Sequence, residues 1–380
     1  IGFLVDKENF IRENASIALG EIGTEKAVDS LIGLLADADT DVRINAAIAL
    51  GKIGSEKAVD SLIGLLADKD TDVRINAADA LGEIGSEKAV DSLIGLLADA
   101  DPGIRRNAAS ALGEIGSEKA VDYLIRLLVD KEHSVRENAA IALGEIGTEK
   151  TVDYLIRLLA DNNPFVRRSV AIALGEIGTE KAENPLIDLL ADKNSSVRSY
   201  AAWALGKIGT EKAVDPLIGL LANPDTGVRN SAAIALAKIG PDKAVNPLIE
   251  LLADANDGVR KRAAWALGEI RSEKAVNPLI GLLADADTDV RINAAIALGE
   301  IGSEKAVDSL IELLADTNTD VRRSVVWALQ NISIKLSKLE QDKLVIRLSN
   351  RTDKGSREAL KRIKQSTGRR FVRVLKGKKS

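Results

Sequence analysis

The chain has 380 residues, of which 46% are hydrophobic and 29% charged, and its formal net charge is −5, as is ordinary for a folded protein. It contains no cysteine, which excludes disulfide bonds and thiolate chemistry and fits a reducing compartment. No apolar run approaches the roughly 18 residues needed to span a bilayer, so we expect a cytoplasmic protein without a membrane span.

A segment of 31 residues is repeated eleven times along the chain without an insertion. Each copy opens with a Val-Arg or Ile-Arg pair, from residues 11–12 to residues 321–322. A fixed period of 20 to 50 residues is the signature of a solenoid, in which each copy packs only against its neighbours. Ile1 aligns with Ile32, in the middle of a copy, so we expect the native chain to begin earlier. We therefore predict one repeat array over residues 1–332, with a truncated first copy.

The first half of each copy has the pattern of an amphipathic helix, which we call helix B. In one copy its apolar positions fall within about 100° of one another on a helical wheel and are Val42, Ala46, Ala49, Leu50 and Ile53. Gly54 follows at the position where a left-handed residue commonly closes a helix. Gly51 recurs inside the helix at a cost of about 1 kcal/mol relative to alanine, which predicts a close contact with a neighbouring element.

The second half of each copy predicts another helix, helix A, over residues 56–67 with Ser55 as its N-cap. Proline follows the position of Asp60 in four copies, which predicts a kink there because proline removes a helical hydrogen bond. Arg43, which recurs in every copy, is interpreted as part of a structural ladder between adjacent copies. Two such helices form a hairpin whose apolar faces can be buried only by stacking on other copies.

The sequence of residues 42–68, VRINAAIALGKIGSEKAVDSLIGLLAD, resembles the HEAT-like repeats of the phycobilisome lyase type. The resemblance extends over about residues 1–332. It implies an all-α fold, a right-handed α-solenoid of 31-residue HEAT-like helical hairpins, with the B helices lining the concave side. Such repeats occur in lyase subunits, scaffolds and adaptors, so the resemblance leaves these functions open.

A second resemblance concerns the deoxyhypusine hydroxylases, HEAT-like enzymes in which paired His-Glu motifs hold iron. The chain has one histidine, His133, which we expect in the turn before a B helix. A single histidine cannot supply paired His-Glu motifs, so deoxyhypusine hydroxylase activity is excluded. The sequence also lacks a P-loop, a GxGxxG motif and the Cys/His spacing of a metal site. We therefore predict no catalytic residues, no metal, no cofactor and no small-molecule substrate.

One row of positions, equivalent to Ile48 in helix B, varies between copies and holds all three tryptophans of the protein. The helical wheel places this row opposite the core stripe, so we expect its side chains to face solvent. The row consists of Ile17, Ile48, Asp79, Ser110, Ile141, Ile172, Trp203, Ile234, Trp265, Ile296 and Trp327. Adjoining positions carry a tyrosine and several cations, which are Tyr200, Arg168, Lys261, Arg262 and Arg323.

Exposed aromatic and basic residues along one face predict a binding site for a protein partner. We expect a protein or peptide segment in the concave groove to be anchored by Trp203, Trp265, Trp327 and Tyr200. Its acidic groups are expected to pair with Arg168, Lys261, Arg262 and Arg323. Alternatively, the tryptophans and isoleucines of the row only pack against neighbouring B helices. Stacking of nucleic-acid bases on the rings is disfavoured, because the acidic array would repel phosphates.

Residues 333–380 form a predicted basic cap and tail, with 16 lysines and arginines against 4 acidic residues. Residues 336–348 and 356–365 are expected to form amphipathic helices, the first of which would cap the array. The last stretch, residues 368–380, alternates apolar and basic side chains. It could be a solvated tail, dock against the acidic array, or contact an anionic partner such as RNA or a membrane surface.

These patterns predict a non-catalytic protein-binding scaffold or adaptor that uses the concave B-helix surface. Two alternatives stay open. The chain could be a subunit of a bilin lyase-type complex, as the resemblance implies, or it could bind nucleic acid or an anionic surface through its basic tail.

Overall fold

The computed structural model describes residues 1–239 and 241–366 and, within them, every side chain except those of residues 241 and 242. The described residues form helices and turns and no strand, which confirms the predicted all-α solenoid class. They belong to two compact units, Ile1–Ile208 and Gly209–Ser380. None of the described helices is long and apolar enough to cross a membrane.

The first unit alternates long helices of 14 residues with short helices of seven residues. In chain order they are α1 (Asn9–Ile22), α2 (Val28–Leu34), α3 (Thr40–Ile53), α4 (Val59–Leu65), α5 (Thr71–Ile84), α6 (Val90–Leu96), α7 (Pro102–Ile115), α8 (Val121–Leu127), α9 (His133–Ile146), α10 (Val152–Leu158), α11 (Pro164–Ile177), α12 (Glu183–Leu189) and α13 (Ser195–Ile208). Short 3₁₀ helices lie at Gly2–Val5, Glu25–Ala27, Glu56–Ala58, Glu87–Ala89, Glu118–Ala120, Glu149–Thr151 and Glu180–Ala182.

The second unit continues the alternation. Its helices are α14 (Val214–Leu220), α15 (Thr226–Ile239), α16 (Pro241–Glu250), α17 (Asp257–Ile270), α18 (Val276–Gly281), α19 (Thr288–Ile301), α20 (Val307–Leu313), α21 (Thr319–Lys335), α22 (Lys338–Ser349) and α23 (Lys354–Ser366). Its 3₁₀ helices are Glu211–Ala213, Leu251–Ala253, Glu273–Ala275, Leu282–Ala284 and Glu304–Ala306. The odd-numbered helices up to α21 correspond to helix B and are called the long helices below. The even-numbered helices up to α20 correspond to helix A and are called the short helices.

The long helices begin and end with local signals that the sequence carries in most copies. In α3, the Asp39 side chain accepts hydrogen bonds from the backbone N–H groups of Asp41 and Val42, at 3.0 and 3.2 Å. At its other end, Gly54 adopts a left-handed conformation with φ of 72°, and its N–H donates to the carbonyl of Leu50. The prediction of helix B is therefore confirmed, with a start at Thr40.

The start of the short helices differs from the prediction. The Ser55 side chain makes no capping hydrogen bond; its hydroxyl donates to the Glu25 carboxylate of the preceding copy at 2.8 Å. The predicted kink near Asp60 corresponds to the change from 3₁₀ to α geometry, which falls at Val59, one residue earlier. The four prolines that follow the position of Asp60 are compatible with the short helices. Pro216, for example, is the third residue of α14, where a backbone N–H has no intrahelical acceptor.

Successive long helices approach most closely where a glycine of one faces an alanine of the next. A Cβ atom placed on Gly51 would lie 2.9 Å from the Cα atom of Ala80, which is closer than real Cβ atoms come. The same contact joins Gly20–Ala49, Gly82–Ala111, Gly113–Ala142, Gly144–Ala173, Gly175–Ala204, Gly268–Ala297 and Gly299–Ala328. The recurring glycine is thus required by helix packing, which outweighs its low helix propensity.

The predicted ladder of arginines between copies is confirmed. Arg43 forms a two-pronged ion pair with Asp68, 25 residues later, at 3.0 Å from Nε, and its Nη1 donates to the carbonyl of Asp37 at 2.9 Å. One guanidinium therefore joins two successive turns. The equivalent pairs are Arg12–Asp37, Arg105–Asp130, Arg136–Asp161, Arg167–Asp192, Arg260–Asp285 and Arg291–Asp316.

The two helices predicted after the last repeat are both present. In α22, Ser337 and Glu340 form a capping box, and Leu344 and Leu348 are buried. Helix α23 packs against α21 and buries Ile363. An ion pair between Arg347 and Asp308 joins α22 to α20. The predicted alternating stretch, residues 368–380, lies outside the described residues, and the domain boundary at residue 332 stays a prediction.

Candidate partner-binding surface

The residues predicted to bind a partner lie on four long helices. In the first unit, α11 carries Arg168 and α13 carries Tyr200 and Trp203. In the second unit, α17 carries Lys261, Arg262 and Trp265, and α21 carries Arg323 and Trp327. In each unit, we call the face of the long helices that bears the row of Ile48 and its equivalents the long-helix surface.

The three tryptophans are half-buried, which corrects the expectation that this row simply faces solvent. A Cβ placed on Gly175 would lie 2.9 Å from Cζ3 of Trp203, and one on Gly299 would lie 2.8 Å from Cζ3 of Trp327. Each of these two indoles therefore rests over the glycine of the preceding long helix. The cause is the close glycine–alanine packing, which brings the row of one helix over its neighbour.

Arg168 lies between two partly exposed rings. Its guanidinium carbon is 5.3 Å from the centre of the Phe165 ring and 6.0 Å from that of Tyr200. The two aromatic residues are 52% and 40% exposed, and the same guanidinium donates to the Glu137 carboxylate at 2.9 Å. The Lys207 ammonium lies 5.5 Å from the centre of the Trp203 ring. An aromatic cluster with two associated cations therefore forms on α11 and α13, and Phe165 was missing from the sequence prediction.

The other predicted cations differ in their surroundings. Lys261 forms an ion pair with Asp289 at 2.9 Å, and the exposed Arg323 pairs with Asp320 at 3.1 Å. Burial, and then the neighbouring charge of Arg229, lower the pKa of Arg262. The buried Nε atom of Arg262 has no hydrogen-bond acceptor among the described residues. Arg262 thus carries an unmatched buried donor, and so does Arg168 at its Nε atom.

A row of carboxylates on the long-helix surface was missed by the sequence analysis. Glu83, Glu114 and Glu145 lie on α5, α7 and α9 at the position of Lys52. The Oε2 atom of Glu114 would be 2.6 Å from a Cβ on Gly82, so this carboxylate overhangs the preceding helix as the indoles do. The signal was present in the sequence, as a glutamate repeated every 31 residues.

Burial and neighbouring carboxylates raise the pKa of Asp79, Glu114 and Glu145. Burial first, and then the charges of Glu114 and Glu83, raise the pKa of Asp79 from its ordinary value of 3.8 to about 6, against the opposing effect of Arg106. Burial is also the main cause of the raised pKa of Glu114 and of Glu145. The first unit therefore presents a strongly acidic region on α5, α7 and α9.

Replacing Asp79 with isoleucine, the residue at the same position in several other copies, is expected to stabilise the protein at pH 7. A raised folded-state pKa means that the ionised carboxylate opposes folding above pH 6, and that this cost disappears as the pH falls towards 4. Allowing for partial exposure, we expect a gain on the order of 1 kcal/mol in the free energy of unfolding at pH 7, and a smaller gain at pH 5. Urea unfolding at both pH values measures it, with Asp72→Ala as an exposed control. An equal effect of Asp79→Ile at both pH values would contradict the assignment.

One group of carboxylates, Glu13, Asp39 and Asp41, has ligand atoms within 4.8 Å of one another among the described residues. The Asp39 carboxylate already accepts hydrogen bonds from the Asn9 amide at 2.8 Å and from the N-terminal N–H groups of α3. We therefore assign Asp39 to the capping of α3.

Profiles of HEAT repeats match residues 3–72, 63–141, 130–197, 183–263 and 245–330, which together span most of the chain. The chain is a HEAT-repeat protein. No curated protein in the comparison matches this HEAT-repeat protein significantly.

Solved structures support the α-solenoid fold. Importin β is 14% identical with a TM-score of 0.66; the alignment covers 96% of the HEAT-repeat protein and 61% of the importin β chain. A Kap95p structure gives the same identity and coverage with a TM-score of 0.63. The complex of CpcE and CpcF of phycocyanin lyase from Nostoc is 26% identical over 62% of this chain and 91% of that chain, with a TM-score of 0.41. That last score is too low to support a closer relationship.

Proposed function

We propose that this HEAT-repeat protein is a non-catalytic scaffold or adaptor that binds a protein or peptide segment on its long-helix surface. The observation that carries the proposal is that every tryptophan of the chain occupies one row and keeps part of its indole accessible. Trp203, Trp265 and Trp327 are the proposed anchors, together with Tyr200. Kap95p, which shares the fold, binds RanGDP, and this supports protein binding as the general role.

Packing against the preceding helix favours these tryptophans as anchors. Trp203 rests over Gly175 and Trp327 over Gly299, so each side chain is held in place before a partner arrives. Ordering a free side chain at an interface costs about 0.5–1.5 kcal/mol, and a side chain that is already ordered avoids most of that cost.

The charges of the surface constrain the partner. We propose that carboxylates of the partner replace those that now form ion pairs with Arg168, Lys261 and Arg323. The Nε atom of Arg262 would donate a hydrogen bond to the partner. The acidic region on α5, α7 and α9 favours basic groups in the part of the partner that meets it. A partner segment with both signs of charge and apolar side chains between them fits this surface best.

Replacing each tryptophan with isoleucine tests the anchors without disturbing the repeat. Isoleucine occupies the same position in α3 and α9, as Ile48 and Ile141, so we expect Trp203→Ile, Trp265→Ile and Trp327→Ile to fold. Binding peptides would be selected from a displayed library and their Kd measured by tryptophan fluorescence, which reports on this row alone. Each variant is expected to weaken binding by about tenfold, the effect of removing one interface anchor.

Ile296→Val is the matched control, since it changes the same row by one methyl group and should leave Kd within about twofold. Circular dichroism and thermal unfolding would accompany each measurement. Unchanged affinity in all three tryptophan variants, or loss of helicity together with loss of binding, would assign the indoles to packing instead.

Two other roles were raised by the sequence. The resemblance to the phycobilisome lyase type supports a subunit of a bilin lyase-type complex, and failure to promote bilin transfer to a phycobiliprotein would remove it. Nucleic-acid binding by the basic residues 368–380 would show as RNA binding that weakens with salt and is lost without residues 351–380. A cytoplasmic location is also a proposal, which fractionation of the source cell would test.

A further inference from the structure

Two neighbouring short helices carry a substitution that sets them apart from the other copies. In α8, Tyr123 and Arg126 replace the serine and glycine found in α4 as Ser61 and Gly64. The same exchange recurs 31 residues later in α10, as Tyr154 and Arg157. The equivalent positions of the other short helices hold serine or proline, and glycine, aspartate or glutamate. The pair is therefore dispensable for the fold of a repeat.

In both helices the arginine guanidinium lies over the ring of the tyrosine three residues earlier. The guanidinium carbon of Arg126 is 5.4 Å from the centre of the Tyr123 ring, and that of Arg157 is 5.9 Å from the Tyr154 ring. The tyrosines are 41% and 44% exposed, and both arginines are exposed. The rings thus hold two guanidinium groups at the surface in a defined orientation.

Neither guanidinium donates a hydrogen bond or forms an ion pair within residues 1–239 and 241–366. Asp122, four residues before Arg126 on α8, is placed to pair with it but instead pairs with Lys150 at 2.6 Å. That ion pair also ties α8 to the turn before α10, so the two short helices are direct neighbours. Two adjacent copies therefore present unmatched guanidinium donors side by side.

We propose that α8 and α10 form a docking surface for an acidic, proline-rich segment of a partner protein in the polyproline II conformation. Neighbouring packed helices lie about 8–10 Å apart. A polyproline II helix rises about 3.1 Å per residue with three residues per turn, so every third side chain recurs on one face after about 9 Å. Carboxylates at this spacing match the two guanidinium groups, and proline rings match the exposed tyrosines. This surface is separate from the tryptophan row, and the proposal does not depend on the function proposed for that row.

The surrounding charges favour a short acidic peptide over a nucleic acid. Asp91, Asp122 and Asp153 line the first turns of α6, α8 and α10 on the same side of the stack. A continuous phosphate backbone would meet these carboxylates, whereas a peptide can place its carboxylates only opposite the two arginines.

The probe for this surface is a fluorescein-labelled (Glu-Pro-Pro)₄ peptide, titrated with the full chain in fluorescence anisotropy at low salt. The double variant Arg126→Glu/Arg157→Glu is expected to bind at least about tenfold more weakly than wild type. Glutamate stands at the same position in two other copies, as Glu250 and Glu312, so this variant should keep the fold. Tyr123→Ser/Tyr154→Ser, which restores the residue of α4, should weaken binding by a smaller factor.

The control for net charge is Lys57→Glu/Lys88→Glu, which changes the charge by the same amount on the exposed 3₁₀ helices before α4 and α6. It should leave the affinity within about twofold. A (Glu-Pro-Pro-Pro)₃ peptide, whose glutamates no longer share a face, should bind more weakly than the probe. Absence of probe binding to wild type, equal weakening by the lysine control, or unchanged binding by the arginine variant would overturn the proposal.

Discussion

Replacing Gly144 with valine is expected to lower the free energy of unfolding by about 3 kcal/mol, the upper range for overpacking a filled interface. A Cβ at this position would lie 2.7 Å from both the Cα and the Cβ atoms of Ala173 on the next long helix. Both are parts of the neighbouring helix that cannot rotate away, so α9 and α11 must separate to admit it. The contact is repeated along the array, so a separation here also disturbs the packing on either side.

Gly95→Ala is the matched control for this prediction, because Gly95 lies in the short helix α6 with open space where a Cβ would be added. It should raise stability by up to about 1 kcal/mol through helix propensity alone. Urea unfolding, with hydrogen exchange to locate the weakened helices, measures both variants. If Gly144→Val proved as stable as wild type, the close approach of α9 and α11 would be incorrect.

Arg105→Ala is expected to cost about 3 kcal/mol, near the lower end of the range for removing one partner of a buried ion pair. The Arg105 guanidinium donates twice to Asp130, at 2.9 Å each, and to the carbonyl of Asp99 at 2.9 Å. The Asp130 side chain is 11% exposed, so the substitution leaves a nearly buried carboxylate without its counter-charge. Lys119→Ala, which removes an exposed ion pair with Asp91, should change stability by less than about 0.5 kcal/mol.

The effect of Arg105→Ala should depend on pH. Burial alone would raise the pKa of Asp130, but hydrogen bonds from Arg105 and from the backbone N–H of Glu132 outweigh burial and hold that pKa below its ordinary value. A lowered folded-state pKa contributes stability that is complete above about pH 4 and is lost as the pH falls through the folded value. The difference between wild type and variant should therefore be full at pH 7 and shrink below pH 4. A constant difference across this range would contradict the assigned role of Asp130.

The helices of this chain could be predicted closely from sequence because their signals lie within one copy. The apolar stripe of helix B and the closing Gly54 are local features, and the structure reproduces them. The role of Ser55 could not be predicted, because its hydroxyl bonds to Glu25 in the preceding copy. The partner of Gly51 was hidden for the same reason, since Ala80 belongs to the following long helix.

The candidate surface was predictable in its residues but not in their degree of burial. A helical wheel shows which side of a single helix a residue occupies, and it placed Trp203 opposite the core. It cannot show that a neighbouring helix packs closely enough for the indole to rest over Gly175. Likewise, the repeated glutamates were visible in the sequence, but the raised pKa of Asp79 depends on burial and on charges from its own helix and from α7.

In the second unit, α15 lacks the glycine that lets successive long helices pack closely. Helix α15 carries Ala237 where the other long helices from α1 to α19 carry glycine, and it packs less extensively against α17 than other successive long helices do within either unit. Because each repeat is coupled only to its neighbours, the weakest coupling decides where a stack first comes apart. Heating or denaturant should therefore first separate α15 from α17 within the second unit. Amide protons at this boundary should exchange, and proteases should cut there, before the helices on either side unfold.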